Sequence, residues 1–298
     1  MRKTILILLA LFSFCQTFAQ TKKSGTYQIQ HTDNSLLWEV SGNGLKNPSF
    51  LYGTFHLMCK KDLVFSEYLK SALSASDVLM LELDMDDPKI AMGGLMSLSM
   101  KGNKKIKDLL SESDYKKVSD YFKDSLNTPI FWLESVQPML LQSLLYTKLI
   151  PCSSVTSPEQ ELMKLAKPQR KPVEGLETIE FQASVFEKIP YDVQAKMLVT
   201  AIDSLAFQRE SFKGMIDAYL KQDLKQLDSL TSNEPGMKSF EDALLFDRNK
   251  KWVEFLNDSI KEKSYFIAVG AGHLPGQSGV IELLRKKGFT VKPIVNSN

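Results

Sequence analysis

The sequence is poor in cysteine, histidine and tryptophan, with three residues of each among 298. So few cysteines exclude a small disulfide-dense scaffold, whose stability depends on several bridges. Glycine, with 15 residues, and proline, with 12, are also too scarce for a collagen-like or low-complexity chain. Since 43% of the residues are hydrophobic and 24% are charged, the composition is that of a globular protein long enough to bury a full core.

The sequence also lacks an excess of one charge, because 37 Lys and Arg residues face 35 Asp and Glu residues. The small basic excess comes from Arg2 and Lys3, which precede an apolar run over residues 5–14. This order is typical of a secretory signal peptide. We therefore predict that residues 1–19 are removed near Ala19 and that the neutral mature chain is periplasmic or secreted. Such a charge balance gives no reason to expect a nucleic-acid partner.

Long apolar runs are absent as well. The run in the signal peptide is well below the roughly 20 residues that a membrane-spanning helix needs, so we expect no stable membrane anchor after cleavage. The mature chain keeps Cys59 and Cys152. In an oxidising compartment this pair is a candidate disulfide, and two free thiols are the alternative.

The mature chain is predicted to form one α/β domain over residues 36–298, after a linker at residues 20–35. Two outer blocks, residues 36–88 and 264–298, contain the predicted strands. Between them, residues 89–263 show helical periodicity and are predicted to be a large helical insertion.

Hydrophobic periodicity and turn residues predict the elements of each block. The first block is predicted to hold strands at residues 36–40, 49–52 and 78–83, the first two as a β-hairpin. The last block is predicted to hold a strand at 265–269, a helix at 278–287 and a strand at 289–295. The insertion is predicted to hold helices near residues 106–125, 130–149, 158–167, 177–188, 191–231 and 237–262. Pro138, inside the second of these helices, is expected to kink it.

A Gly-x-x-His-Leu motif follows a predicted strand in each outer block, at residues 53–57 and 270–274. The glycine lets the backbone turn sharply and approach a ligand, and the histidine then lies at the carboxyl end of a strand, where open α/β sheets bind ligands. The fold is therefore predicted to be a small central sheet built from two β-Gly-x-x-His-α-β half-repeats. If the two strands are parallel neighbours, His56 and His273 face one crevice. His31 has no such context and is predicted to be an exposed linker residue.

Glu82 lies near the end of a buried apolar strand, where a carboxylate is unfavourable unless it is paired, protonated or bound to a metal. Two histidines and one carboxylate can hold a catalytic divalent metal with an open position for water. His56, His273 and Glu82 are therefore the predicted ligands, with Glu82 alternatively the general base. Asp84 or Asp86 could replace Glu82, and each histidine could instead be a satisfied structural residue.

Two further segments complete a recognisable pattern. Residues 171–178, Lys-Pro-Val-Glu-Gly-Leu-Glu-Thr, are followed by Gln182, and Arg248-Asn249 precedes the second histidine motif. Together with the paired motifs and the apolar run that contains Glu82, they make the sequence resemble the TraB/GumN family, which is related to the Tiki metalloproteases and more distantly to erythromycin esterases.

The resemblance implies an α/β core with a large helical insertion and a site built from both histidine motifs. It implies metal-dependent peptidase chemistry, with manganese, cobalt or zinc as the ion, whereas the esterases use His and Glu for hydrolysis. Carried over by position, His56, Glu82 and His273 are the core of the site. Glu177 joins them as a further catalytic candidate, as do Arg248 and Asn249.

The resulting hypothesis is an exported metal-dependent hydrolase that acts on a peptide or on a small ester or amide. Arg248 would neutralise the negative charge that develops on the substrate oxygen. The alternatives are a metal-free esterase-type hydrolase that uses His and Glu, and a non-catalytic protein that sequesters peptides.

Overall fold

The computed structural model describes residues 34–87, 98–232 and 238–294. The predicted signal peptide, nearly all of the predicted linker and His31 lie outside these residues. Within them, no helix has both the length and the apolar character needed to cross a membrane.

A mostly parallel sheet of six strands forms the centre of the fold. Its strands are β1 (Leu37–Ser41), β2 (Ser49–Thr54), β4 (Val78–Leu83), β6 (Val173–Glu177), β7 (Tyr265–Gly270) and β8 (Thr290–Ile294). Across the sheet the order is β6-β4-β7-β2-β1-β8. Five strands run in one direction, and β1 runs in the opposite direction. Two short strands, β3 (Met58–Cys59) and β5 (Val155–Thr156), pair separately.

The described residues form ten α-helices, of which eight lie between β4 and β7 in the sequence. They are α1 (Glu67–Ala75), α2 (Glu112–Asp124), α3 (Pro138–Leu149), α4 (Pro158–Ala166), α5 (Ile179–Phe186), α6 (Tyr191–Asp203), α7 (Leu205–Leu220), α8 (Leu224–Ser232), α9 (Asp247–Glu262) and α10 (Val280–Lys286).

The central strands are apolar and buried. Residues 78–81 of β4 and 265–269 of β7 are all buried, as expected for parallel strands inside an α/β fold. Antiparallel pairing of β1 with β2 confirms the predicted hairpin. Trp38 in β1 is also buried, and its indole N–H donates to the Ser35 carbonyl oxygen at 2.7 Å.

The parallel arrangement decides where the site lies. Strands β6, β4, β7 and β2 run in one direction, so their carboxyl ends meet at one edge of the sheet. Glu82, Glu177 and both Gly-x-x-His motifs lie at or just beyond these ends. Open α/β sheets bind ligands at this edge.

The middle of the chain, predicted to be helical, is not helical throughout. It contributes β6, an edge strand that pairs with β4 in register from Leu79 opposite Val173 to Leu83 opposite Glu177. The strand includes a glycine and two glutamates, residue types with low strand propensity. Pairing with a buried neighbour therefore outweighs the local preference, and the predicted helix begins at Ile179, after the strand.

Other helix boundaries also differ from the prediction. The prediction of a kink at Pro138 is wrong, because this proline is the first residue of α3, a position that needs no N–H donor. The predicted segment at 191–231 is three helices, interrupted at Ser204 and at Gln222, whose φ is +56°. A π-helical turn, Asp242–Phe246, leads directly into α9.

The two outer blocks occupy different positions in the sheet. β2 and β4 are separated by β7, whereas β7 and β8 are separated by both β2 and β1. Their description as equivalent half-repeats stays a prediction.

Cys59 and Cys152 form a disulfide, which leaves the alternative of two free thiols without support. The bridge joins β3 to the segment just before β5, and these two strands also pair with each other. Since β3 follows His56 and β5 precedes α4, the bridge fastens together two segments that border the site.

Gly175→Ala should destabilise the fold. An added Cβ would lie 2.6 Å from the Asp84 backbone nitrogen and 3.0 Å from the Glu177 carbonyl oxygen, so β6 would have to move away from β4. We expect a loss of about 1 to 3 kcal/mol in the free energy of unfolding, measured in urea. Gly214→Ala in α7, where the nearest atom to the added Cβ is Leu230 Cδ1 at 3.8 Å, is the matched control and should be neutral or stabilising by up to about 1 kcal/mol. Equal stability of the two variants would contradict the prediction.

The double variant Cys59→Ser/Cys152→Ser should also be less stable. The bridge joins residues 93 positions apart, and removing so long a loop constraint costs about 3 to 5 kcal/mol in the chain-entropy description. Urea unfolding of the variant should match that of the wild type under reducing conditions. An unchanged midpoint would show that β3–β5 pairing holds these segments without the bridge.

Candidate active site at the carboxyl edge of the sheet

A buried guanidinium lies at the centre of the site. Arg248, in the first turn of α9, is 8% exposed. Its Nε and Nη2 donate to the two carboxylate oxygens of Glu177 at 2.9 and 2.8 Å, and Nη2 also donates to Glu82 Oε2 at 2.6 Å. This two-pronged geometry is the strong form of an Arg–carboxylate pair.

The sheet brings the two carboxylates to this guanidinium. Glu82 and Glu177 stand at the ends of the adjacent parallel strands β4 and β6. Gly270 N–H donates to Glu82 Oε1 at 2.8 Å, and Gln182 Nε2 donates to Oε2 at 3.3 Å. Burial raises the pKa of Glu82, but the charge of the Arg248 guanidinium holds it below its usual value. Glu82 is therefore ionised.

All five N–H groups of Arg248 have a hydrogen-bond partner within the protein. Besides the bonds to the two glutamates, Nη1 donates to the Leu244 carbonyl oxygen at 3.1 Å and lies 3.2 Å from His273 Nε2. The guanidinium has no acceptor capacity, so the histidine nitrogen must accept this bond. In this arrangement Arg248 positions the groups around it.

His273 is a neutral imidazole in a defined tautomer. Nε2 accepts from Arg248, so Nδ1 carries the proton and donates to Asn249 Oδ1 at 2.6 Å. Burial lowers the pKa of His273 to about 3, which agrees with this assignment. The ring centre lies 4.4 Å from that of Trp252, whose indole N–H donates to Glu177 at 2.9 Å.

His56 has a different environment, because its side chain is 69% exposed. Its Nδ1 lies 2.7 Å from Glu159 Oε1, near the start of α4. Desolvation opposes the charged imidazolium, but the hydrogen bond and the charge of Glu159 raise the pKa of His56 above its usual value. The carboxylate therefore orients the ring and leaves Nε2 for other contacts.

Three of the predicted residues meet around Gly270. A Cβ added at this glycine would lie 3.3 Å from Glu82 Oε1, 3.5 Å from His56 Nε2 and 3.6 Å from His273 Cδ2. His56 and Glu82 also line an open pocket of about 340 Å³. Because glycine has no side chain, a small space remains beside Gly270, and His56, His273 and Glu82 border it.

Imidazole nitrogens and a carboxylate are donor types that divalent cations bind. Each imidazole has its Nδ1 bonded to a side-chain oxygen, as metal-ligating histidines commonly do. In residues 34–87, 98–232 and 238–294, however, no group of three or more His, Cys, Asp or Glu side chains has the arrangement of a metal site. Coordination through His273 Nε2 also requires Arg248 Nη1 to withdraw from it.

The other predicted residues support this centre. Glu177 binds Arg248 and Trp252, and Asn249 accepts from His273 and donates to the Ser278 carbonyl oxygen at 2.8 Å. The aspartates after β4 have a different role, because the Asp84 carboxylate accepts from the backbone N–H of Asp86 in a turn. Glu82, and not these aspartates, contacts Arg248.

Glu159 and Trp252 also belong to the site, although the sequence patterns do not predict them. An acidic residue in the first turn of a helix is explained by the helix dipole alone, so Glu159 gave no separate signal. Trp252 could have been found, because it lies four residues after Arg248 and therefore on the same face of a helix. Gln182 was part of the family resemblance, but its contact with Glu82 was not predicted.

The structure is that of an α/β protein with a buried cluster of ionisable side chains at the carboxyl edge of its parallel sheet, the edge at which such folds bind ligands. The sequence profile of the TraB/PrgY/gumN family matches residues 36–293. The chain belongs to this family.

Curated relatives include the proteins named Metalloprotease TIKI homolog of Amphimedon queenslandica and of Nematostella vectensis, which are 25% and 24% identical. Metalloprotease TIKI1 of Danio rerio is 23% identical. These alignments cover 90%, 88% and 87% of this chain and 63%, 68% and 63% of the relatives. The chain thus spans less than two thirds of the length of the Amphimedon and Danio proteins. No solved structure matches the chain significantly.

Arg248→Ala should strongly destabilise the protein. The variant leaves Glu82 and Glu177 buried at adjacent strand ends without their shared cation, and breaking a buried pair in this way costs about 3 to 5 kcal/mol. Arg248→Lys keeps the charge but loses the two-pronged geometry, so a smaller loss is expected. Urea unfolding measures both losses, with the exposed Arg209→Ala as control. Equal stability of Arg248→Ala and the control would contradict this account.

Proposed function

We propose that the chain is an exported, peptidase-like hydrolase whose reaction centre comprises His56, Glu82 and His273. The observation that carries the proposal is the approach of these three groups to one point beside Gly270, next to an open pocket. The named metalloprotease relatives support the reaction class. Export rests on the composition of residues 1–19.

The proposed centre would hold a divalent metal ion through His56, Glu82 and His273, with manganese, cobalt and zinc as candidates. When bound, the ion would supply an activated water and a Lewis acid for the substrate carbonyl. The protein's own contribution is orientation: Glu159 fixes the ring of His56, Asn249 fixes the ring of His273, and Arg248 with Gly270 fixes the Glu82 carboxylate.

This arrangement changes the role proposed for Arg248. The sequence hypothesis gave it direct contact with the negatively charged substrate oxygen. Because its five N–H groups are already used, we propose that Arg248 acts as a positioning residue, and that Glu177 acts through it.

A metal-free hydrolase is the second candidate. It is favoured by one observation, the contact between Arg248 Nη1 and His273 Nε2, which occupies the nitrogen that a metal would need. In that case His56, exposed and oriented by Glu159, would exchange a proton with water or substrate through Nε2.

His56→Ala should lower kcat/KM for peptide or ester hydrolysis by about 10²- to 10⁴-fold, the usual contribution of such a group. His31→Ala, which changes the histidine outside both motifs, is the matched control and should have no effect. Metal content by mass spectrometry and activity with and without chelator separate the candidates. Activity that survives chelation in a metal-free preparation supports the second candidate. Peptide binding without turnover, unchanged by His56→Ala, would favour sequestration over both.

Gly270→Ala tests whether the reaction uses the space between His56, Glu82 and His273. The φ of Gly270 is −49°, which alanine adopts, so the free energy of unfolding should change by no more than about 1 kcal/mol. The new methyl group occupies the space between the three groups, and a displacement of about 1 Å can reduce activity by about 10²-fold. Full activity in a folded Gly270→Ala protein would show that the reaction does not use this space.

A further inference from the structure

A second open pocket, of about 660 Å³, borders the pocket that contains His56 and Glu82. The two pockets share Met85 and Gln160 as lining residues. A substrate that extends from the reaction centre past these two side chains therefore enters the second pocket, here named the basic pocket.

The basic pocket has a strong excess of positive charge. Its one acidic lining residue is Asp86. Its cationic lining residues are Lys164, Lys167, Arg170 and Lys171. The chain as a whole is nearly neutral, with 37 basic and 35 acidic residues, so this concentration is local and sits beside the proposed reaction centre.

Two of these cations are already used by the fold. Lys164 pairs with Glu161 at 2.7 Å in α4, and the Lys171 ammonium donates to the Ser76 carbonyl oxygen. Lys167 and Arg170 are exposed at the turn that follows α4. Among the described residues, neither has a carboxylate within ion-pair distance. These two side chains therefore supply the unneutralised charge of the basic pocket.

The turn that carries them is held by backbone hydrogen bonds. Arg170 N–H donates to the Lys167 carbonyl oxygen at 3.0 Å, and Lys171 N–H donates to the Ala166 carbonyl oxygen at 3.3 Å. The two cations thus project from a fixed segment at the end of a helix packed on the sheet. A guanidinium also offers the planar, two-pronged geometry that matches a carboxylate.

We propose that the basic pocket is a subsite for a carboxylate of the substrate, so that the protein selects peptides with Asp, Glu or a chain terminus a short distance from the reacting bond. The inference rests on the proposed function for the identity of the substrate as a peptide. Its recognition element, Lys167 with Arg170, lies outside the residues that form the reaction centre.

Retention of a defined peptide mixture tests the subsite without requiring turnover. Immobilised protein is equilibrated with a synthetic random heptapeptide library, and the retained peptides are sequenced by mass spectrometry. The wild type should enrich Asp and Glu about threefold or more over the input at low salt. Raising the salt to about 0.5 M should reduce this enrichment, because exposed charges are screened. In Lys167→Gln/Arg170→Gln the enrichment should vanish.

The matched control is Lys123→Gln/Arg209→Gln, which removes the same two charges from exposed positions in α2 and α7. It should retain the wild-type preference. Libraries with free or amidated carboxyl termini distinguish a terminal carboxylate from a side-chain carboxylate. The proposal is overturned if the wild type retains no peptides, if the retained peptides are not acidic, or if the pocket variant keeps the preference.

Cleavage of the same library in solution separates this inference from the proposed function. Acidic retention without cleavage would support the subsite and count against the hydrolase. Cleavage without any acidic preference near the cut bond would support the hydrolase and overturn the subsite. Cleavage with an acidic preference that Lys167→Gln/Arg170→Gln removes and Lys123→Gln/Arg209→Gln keeps would support both.

Discussion

The rest of the site depends on the need to neutralise two carboxylates that a parallel sheet brings to adjacent strand ends. Glu82 and Glu177 are largely buried, and two such anions side by side are stable only with a shared cation. Arg248 is that cation, and its planar shape lets it reach both carboxylates and one imidazole at the same time. Removal of any partner would leave a buried group unsatisfied, so the cluster behaves as one unit.

The two histidines are equivalent in sequence motif but not in physical environment. His273 is buried against Arg248, Asn249 and Trp252 of α9 and is neutral, and the Asn249 amide oxygen selects its tautomer. The His56 side chain is exposed, and the Glu159 carboxylate orients its ring. Sites that separate the protonation of similar groups in this way can assign different tasks to them. The difference comes from the neighbours of each ring and from the local backbone, since Gly53 lies inside β2 whereas Gly270 ends β7 and a 3₁₀ turn, Ala271–His273, follows.

Much of the site was predictable because strand ends are marked in the sequence. The sharp turn predicted at Gly53 is wrong, because this glycine lies inside β2 and instead lets Ala271 and Leu274 pack closely against the strand. Gly270 does end its strand, and the parallel sheet brings His56, His273 and Glu82 together. Glu159 was hidden because an acid at a helix start is common for other reasons. β6 was missed because its pairing is decided by β4, more than eighty residues earlier, and local propensity carries no information about so distant a partner. The kink at Pro138 was predicted wrongly because proline breaks a helix in its interior but is favoured at its first position.

The position of β7 has a consequence for the order in which the molecule can assemble. β2 and β4 do not pair with each other, because β7 lies between them. Until residues 265–270 are available, the two halves of the parallel sheet have no common neighbour, and Glu82 lacks the Gly270 N–H that holds it. Contacts between such distant segments form late and slowly. A chain emerging from a ribosome would thus carry His56 and Glu82 well before Gly270 and His273, so the cluster at the sheet edge forms only after residues 265–273 have been made.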